Sequence, residues 1–129
     1  MDERLNLSEA RTLIPLLRSI SAEVRDRRVT LARREALRDD LATNSASITP
    51  EGFIVALQDL DASIADQRRG MNTALAELDR LGLVVPSVFP LVVHIPGRTS
   101  RGDVVFCWEE GADHVEDGMP LGQPKINAA

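Results

Sequence analysis

Between residues 53 and 81 the apolar positions step by four and three without a break, through Phe53, Leu57, Leu60, Ile64, Gln67, Met71, Ala74, Leu78 and Leu81. That spacing keeps one stripe of a helix against one neighbour, with a single polar layer at Gln67. Upstream, Leu13, Leu17, Ile20, Val24, Arg27, Leu31, Arg34, Arg38 and Leu41 repeat the spacing in register. Folding the two runs antiparallel about the break near Asn44 to Ile48 sets Leu41 beside Phe53, Leu31 beside Ile64, Arg27 beside Gln67, Ile20 beside Ala74 and Leu13 beside Leu81. Polar then meets polar in the middle layer. The pattern predicts a mainly α protein built on a long antiparallel two-helix coiled-coil hairpin over residues 7–82.

Local signals mark the helix ends. Asn6 and Glu9 have the spacing of a capping box, which starts the first helix at about Leu7. Pro15 removes one backbone hydrogen bond and crowds the preceding turn, so the chain either kinks there or ends a short first helix near Ile14. No breaker follows until Thr43. Thr49, Pro50 and Glu51 supply a cap, a first-turn proline and a first-turn acid for the second helix, and Gly82 supplies its C-terminal stop. Gly70 reads as an incidental surface glycine, with close approach of another helix as the alternative.

From Leu83 the pattern turns β-branched and proline-punctuated. Leu91 to Ile95 and Val104 to Trp108 read as two short strands joined by a turn from Pro96 to Asp103, a small C-terminal β-ribbon within residues 83–108. Leu91, Val93, Ile95 and Val104, Phe106, Trp108 form its denser apolar face, and Trp108 is expected in its core. Residues 109–129 are acidic and then rich in glycine and proline (Gly118, Pro120, Gly122, Pro124), which predicts an extended, irregular tail. The whole chain, 1–129, is expected to be one domain.

Composition narrows the functions. The net charge of −5 argues against nucleic acid or an anionic membrane as partner. The arginines crowded between Arg25 and Arg38 read as a solvated, ion-paired helix face rather than a phosphate strip. Aromatic residues make up 3% of the chain, too few to line a large substrate pocket. One cysteine, Cys107, forbids an internal disulfide, and no apolar run has a membrane-spanning or signal-peptide pattern, so a cytoplasmic protein is expected. Ile14, Leu16, Leu37, Ile54, Val55 and Leu75 lie off the seam and still need burial, which points to a homo-oligomer or a docked protein partner.

No nucleophile motif or phosphate loop stands in the sequence, and no catalytic residue is assigned. His94, Cys107 and His114, with Asp113, Glu116 and Asp117 nearby, are the only set from which a zinc or iron site could be built. If His94 pairs opposite Val105, His94 and Cys107 share a strand face as diagonal neighbours, and a one-residue slip separates them. Cys107 is expected to be covered by a second apolar layer.

The residues Leu7-Ser8-Glu9-Ala10-Arg11, Leu13-Ile14-Pro15-Leu16-Leu17, Val93-His94-Ile95-Pro96 and Val104-Val105-Phe106-Cys107-Trp108 together resemble the bacterial family known as domain of unknown function 2203. The resemblance covers nearly the whole chain. It implies a small cytosolic protein of two helices and a short β-rich C-terminal part, without an established activity. The chain departs from the family pattern at His94, where an aspartate is usual, and in a shortened segment after Cys107-Trp108 that holds His114. The combined expectation is a non-enzymatic interaction or assembly protein with no cofactor. The alternative is a metal-binding or metal-dependent protein using His94, Cys107 and His114.

Overall fold

The computed structural model describes residues 4–44 and 48–120, with side chains through Glu116. Three helices, α1 (Leu7–Thr12), α2 (Ile14–Thr43) and α3 (Pro50–Arg80), precede four strands, β1 (Val84–Val88), β2 (Leu91–Thr99), β3 (Gly102–Glu109) and β4 (Glu116–Pro120). Expectations placed on residues 121–129, including Gly122 and Pro124, lie outside the described residues, as does the side chain of Asp117. The chain groups into two compact units, one of residues 1–21 with 76–129 and one of residues 22–75.

The helix ends follow the local chemistry. The Asn6 side chain accepts from the Glu9 amide at 2.8 Å while Glu9 accepts from the Asn6 amide at 2.9 Å, so the capping box is closed in both directions. At Pro15 the second of the two sequence alternatives holds: α1 stops at Thr12 and α2 begins at Ile14. Pro15 then sits in the first turn of α2, where its missing amide had no helical partner to lose. Gly82 adopts a positive φ of 78° and ends α3, with the Leu83 amide bonded back to Leu78 O at 3.1 Å.

In the first unit the expected two-stranded ribbon is the middle of a larger sheet. The order β1-β2-β3-β4 is antiparallel throughout. Sequence reasoning missed β1 and read β4 as part of an irregular tail. Both are edge strands, and each contains a proline, Pro86 or Pro120, which an edge tolerates because one side of its backbone needs no ladder bond. β2 and β3 are also longer than expected: Pro96 lies inside β2, and the turn shrinks to Ser100 and Arg101 ahead of Gly102 at φ 111°. Pro96 is accommodated because β1 pairing has ended at His94. Leu5 takes over that edge, its amide donating to Pro96 O at 3.1 Å and its carbonyl accepting from the Arg98 amide at 2.8 Å.

One sheet face, with Leu91, Val93, Ile95, Val104, Phe106 and Trp108, is buried, and Ala10, Leu17, Ile20, Leu78 and Leu83 complete the core of this unit. Gly97 belongs to it by necessity: a Cβ there would overlap the Phe106 ring and touch Leu5 O. Trp108 is fully buried, and its Nε1 donates to Ala112 O at 2.9 Å, satisfying the one polar atom of its ring.

In the second unit α2 and α3 pair antiparallel. Arg27 Nη1 donates to Gln67 Oε1 at 3.4 Å, which is the polar layer the register predicts. Gly70 is not incidental, because a Cβ at that position would overlap the Arg27 guanidinium. The glycine makes the space in which the arginine reaches Gln67 while its Nε stays 3.3 Å from Glu23. Toward the connection between the helices, Leu41 lines a concavity with Ala56 and Leu60.

Candidate functional site

The alternation of β2 and β3 fixes what shares the half-open face of the sheet. Register pairs Val92 with Glu109, His94 with Cys107, Pro96 with Val105 and Arg98 with Asp103. His94 therefore stands directly opposite Cys107, two residues from the expected partner Val105, and the pair is adjacent rather than diagonal. The longer hairpin with its two-residue turn sets this register, which a turn from Pro96 to Asp103 could not. The row continues to Val84 on β1 and Glu116 on β4.

Cys107 and His94 are both half-buried, so among the described residues the second apolar layer expected over the thiol covers it only in part. Lower on the same face, Asp103 accepts from Arg98 Nε at 3.2 Å and lies 3.5 Å from Arg4.

His114 is not part of this row. It sits between β3 and β4, exposed, with Nδ1 3.2 Å from Asp113 Oδ1. That hydrogen bond lowers the Asp113 pKa below its ordinary value, with small further help from the charge of Arg18. Among the described residues no three of histidine, cysteine, aspartate and glutamate converge in a way that could hold a metal ion. The structure thus brings together two of the three sequence candidates, His94 and Cys107, and leaves His114 with Asp113.

Among the described residues Arg25, Arg27 and Arg38 of α2 form ion pairs, in line with the solvated, ion-paired face expected. Arg38 Nε lies 2.7 Å from Asp61 Oδ1, Arg27 pairs with Glu23, and Glu35 reaches Arg68 at 4.0 Å. The Asp61 hydrogen bond holds the Arg38 guanidinium above its ordinary pKa. Each is a solvent-exposed pair that supports register more than stability.

What sequence reasoning missed is that the two long sides of this helix pair differ. One side, with Glu35, Arg38, Asp39, Asp61 and Arg68, is a shallow charged concavity of about 340 Å³. The other holds a concavity of about 500 Å³ lined mainly by Leu37, Leu41, Ile48, Ala56 and Leu60, with Asp40 and Asp59 at its rim. A helical projection of the residues flanking the seam would have separated these two sides, since Leu37 and Leu41 fall on one and Glu35 and Asp39 on the other.

The chain belongs to the family described as uncharacterized conserved protein (DUF2203), whose model matches residues 5–117. No curated protein and no solved structure matches it significantly. No helix among the described residues is long and apolar enough to cross a membrane.

Proposed function

We propose that the protein is a non-enzymatic interaction or assembly protein of the cytoplasm, whose α2–α3 pair packs as an antiparallel coiled coil and docks on further helices. The observation that carries this reading is the state of the apolar side chains in residues 22–75. From Leu31 to Leu60 no described residue is buried, and Leu37, Ile48, Ile54 and Val55 are at least 40% exposed. An isolated helix pair covers one stripe per helix, whereas a four-helix bundle covers two. Clustered exposed apolar side chains on a soluble surface mark sites where another surface binds. Sedimentation of the full chain tests the self-associating form of the reading, with at least a dimer expected. A chain that sediments as a monomer at every accessible concentration sinks that form.

A second reading keeps His94 and Cys107 of the expected His94, Cys107 and His114 set as ligands of a zinc or iron site, with His114 held apart beside Asp113. It is supported by the direct cross-strand pairing of the first two. Metal analysis of the purified protein tests it: stoichiometric metal lost in Cys107→Ala supports the site, and metal-free protein removes it.

A further inference from the structure

We propose that His94 and Cys107 form a two-coordinate site for a soft monovalent cation, copper(I), with the imidazole and the thiolate as its two ligands. The inference rests on the second reading above for the ligand pair, and it replaces the zinc or iron of that reading by an ion whose shell the pair fills.

Strand geometry comes first. Leu5 lies along the same edge of β2 as β1, where its amide donates to Pro96 O and its carbonyl accepts from the Arg98 amide. The backbone groups of Pro96 and Arg98 therefore point away from β3, and by the two-residue alternation of the ladder those of His94 do as well. His94 and Cys107 are thus opposed in a pair that exchanges no backbone hydrogen bond. In an antiparallel ladder this is the closer kind of pair, with Cα atoms about 4.5 Å apart and side chains nearer than in the hydrogen-bonded kind.

Ligand chemistry selects the ion. The pair offers one sulfur and one aromatic nitrogen, and among the described residues no third histidine, cysteine or carboxylate joins them in a metal-holding group. Structural zinc takes four protein ligands and catalytic zinc three with a water, so two side chains leave its shell half empty. Copper(I) favours thiolate and accepts imidazole, and its closed d shell lets it rest with two donors in line. Metal–sulfur and metal–nitrogen bonds of about 2.3 and 2.0 Å laid end to end span about 4.3 Å. Directly opposed side chains with Cβ atoms about 4.5–5.5 Å apart bracket such a span.

Charge points the same way. A thiolate with a monovalent cation is neutral, whereas with zinc or iron(II) the same two ligands leave a net positive charge. The pair is half-buried, and so are its neighbours on this face, Val92 and Pro96 along β2 and Val105 along β3. An apolar surround penalises a net charge and admits a neutral complex. Glu116, opposite Cys107 on β4, and Glu109, opposite Val92, are exposed, and their carboxylate oxygens suit harder ions. Binding exchanges the thiol proton for the metal and releases that proton to water, and copper enters already reduced, so no electron is transferred.

The test is anaerobic titration of the reduced full chain with copper(I) against a chromophoric copper(I) chelator, with silver(I) as a probe of the same charge and no redox chemistry. One ion per chain is expected, and X-ray absorption at the copper edge should show one sulfur and one nitrogen. Cys107→Ser should abolish binding, and His94→Ala should weaken it at least about tenfold with helical circular dichroism unchanged. Combining Val92→His with His94→Val moves the ring to a position diagonal to the thiol, about 7–8 Å away, and should weaken binding to the same extent. Copper held equally by His94→Ala, with sulfur as its only protein ligand, is thiol binding alone and overturns the proposal. Copper at one ion per two chains with three or four ligands overturns it as well, because the site is then shared. Stoichiometric zinc or iron that copper(I) does not displace overturns it and leaves the second reading standing, whereas a chain that holds none of these ions overturns both.

Discussion

Residues 1–21 with 76–129 and residues 22–75 place their apolar side chains in different ways. In the first unit Trp108, Phe106, Leu91, Ile95, Val93, Leu17 and Leu78 are all less than 2% exposed. In the second only Val24 reaches that level, with Ile64 and Ala74 next. The cause is architectural. A sheet face covered by helical segments encloses its side chains within one chain, while two helices can bury only the stripes they turn toward each other. Burial of apolar side chains is therefore concentrated in the first unit, and the second leaves Leu37, Ile48, Ile54 and Val55 exposed.

The largest test of that contrast is Trp108→Ala, which removes a fully buried ring and orphans Ala112 O. It should destabilise the protein by about 3–5 kcal/mol in chemical denaturation, independently of protein concentration. Gly97→Ala comes next. The added Cβ meets the Phe106 ring on one side and the Leu5 carbonyl on the other, and a loss of about 1–3 kcal/mol is expected, with weaker protection of the Arg98 amide in hydrogen exchange.

Leu60→Ala probes the other region. Leu60 is half-buried in the chain, so a dilute sample should lose only about 1 kcal/mol, and the loss should grow with protein concentration if a second surface covers it. A loss as large as that of Trp108→Ala, and constant with concentration, would erase the contrast. The smallest effect belongs to Gly70→Ala. The helix gains up to about 1 kcal/mol of propensity, and the displaced atoms are the mobile end of Arg27. Net stability should change by less than about 1 kcal/mol while the Arg27–Gln67 hydrogen bond is lost, which the Arg27 side-chain NMR signals would report.

The half-open sheet face shows why site chemistry was harder to read than helices. His94 and Cys107 were singled out by residue type alone, and their adjacency depends on strand register. Register in turn depends on Pro96 lying inside β2 and on a turn of two residues. A one-residue slip would have moved either side chain to the other face. His114 shows the converse, since it is close to Cys107 in sequence yet is held beside Asp113 between strands.

The sequence by itself determined the features whose cause lies within a few residues or within one helical period. These are the Asn6–Glu9 capping box, the start of α3 at Pro50, its stop at Gly82, the polar layer at Arg27 and Gln67, and the buried place of Trp108. Each rests on a local hydrogen bond, a fixed φ or a repeat that a single element enforces. Only the tertiary structure decided that Val84–Val88 and Glu116–Pro120 become sheet edges, because a proline-bearing segment is a strand only when a neighbouring ladder leaves one side of its backbone free. It alone decided that Gly70 makes room for Arg27, and that Arg38 meets Asp61 and Glu35 meets Arg68 across the two helices. Those outcomes depend on which side chains meet across helices, and spacing along one chain does not contain that information.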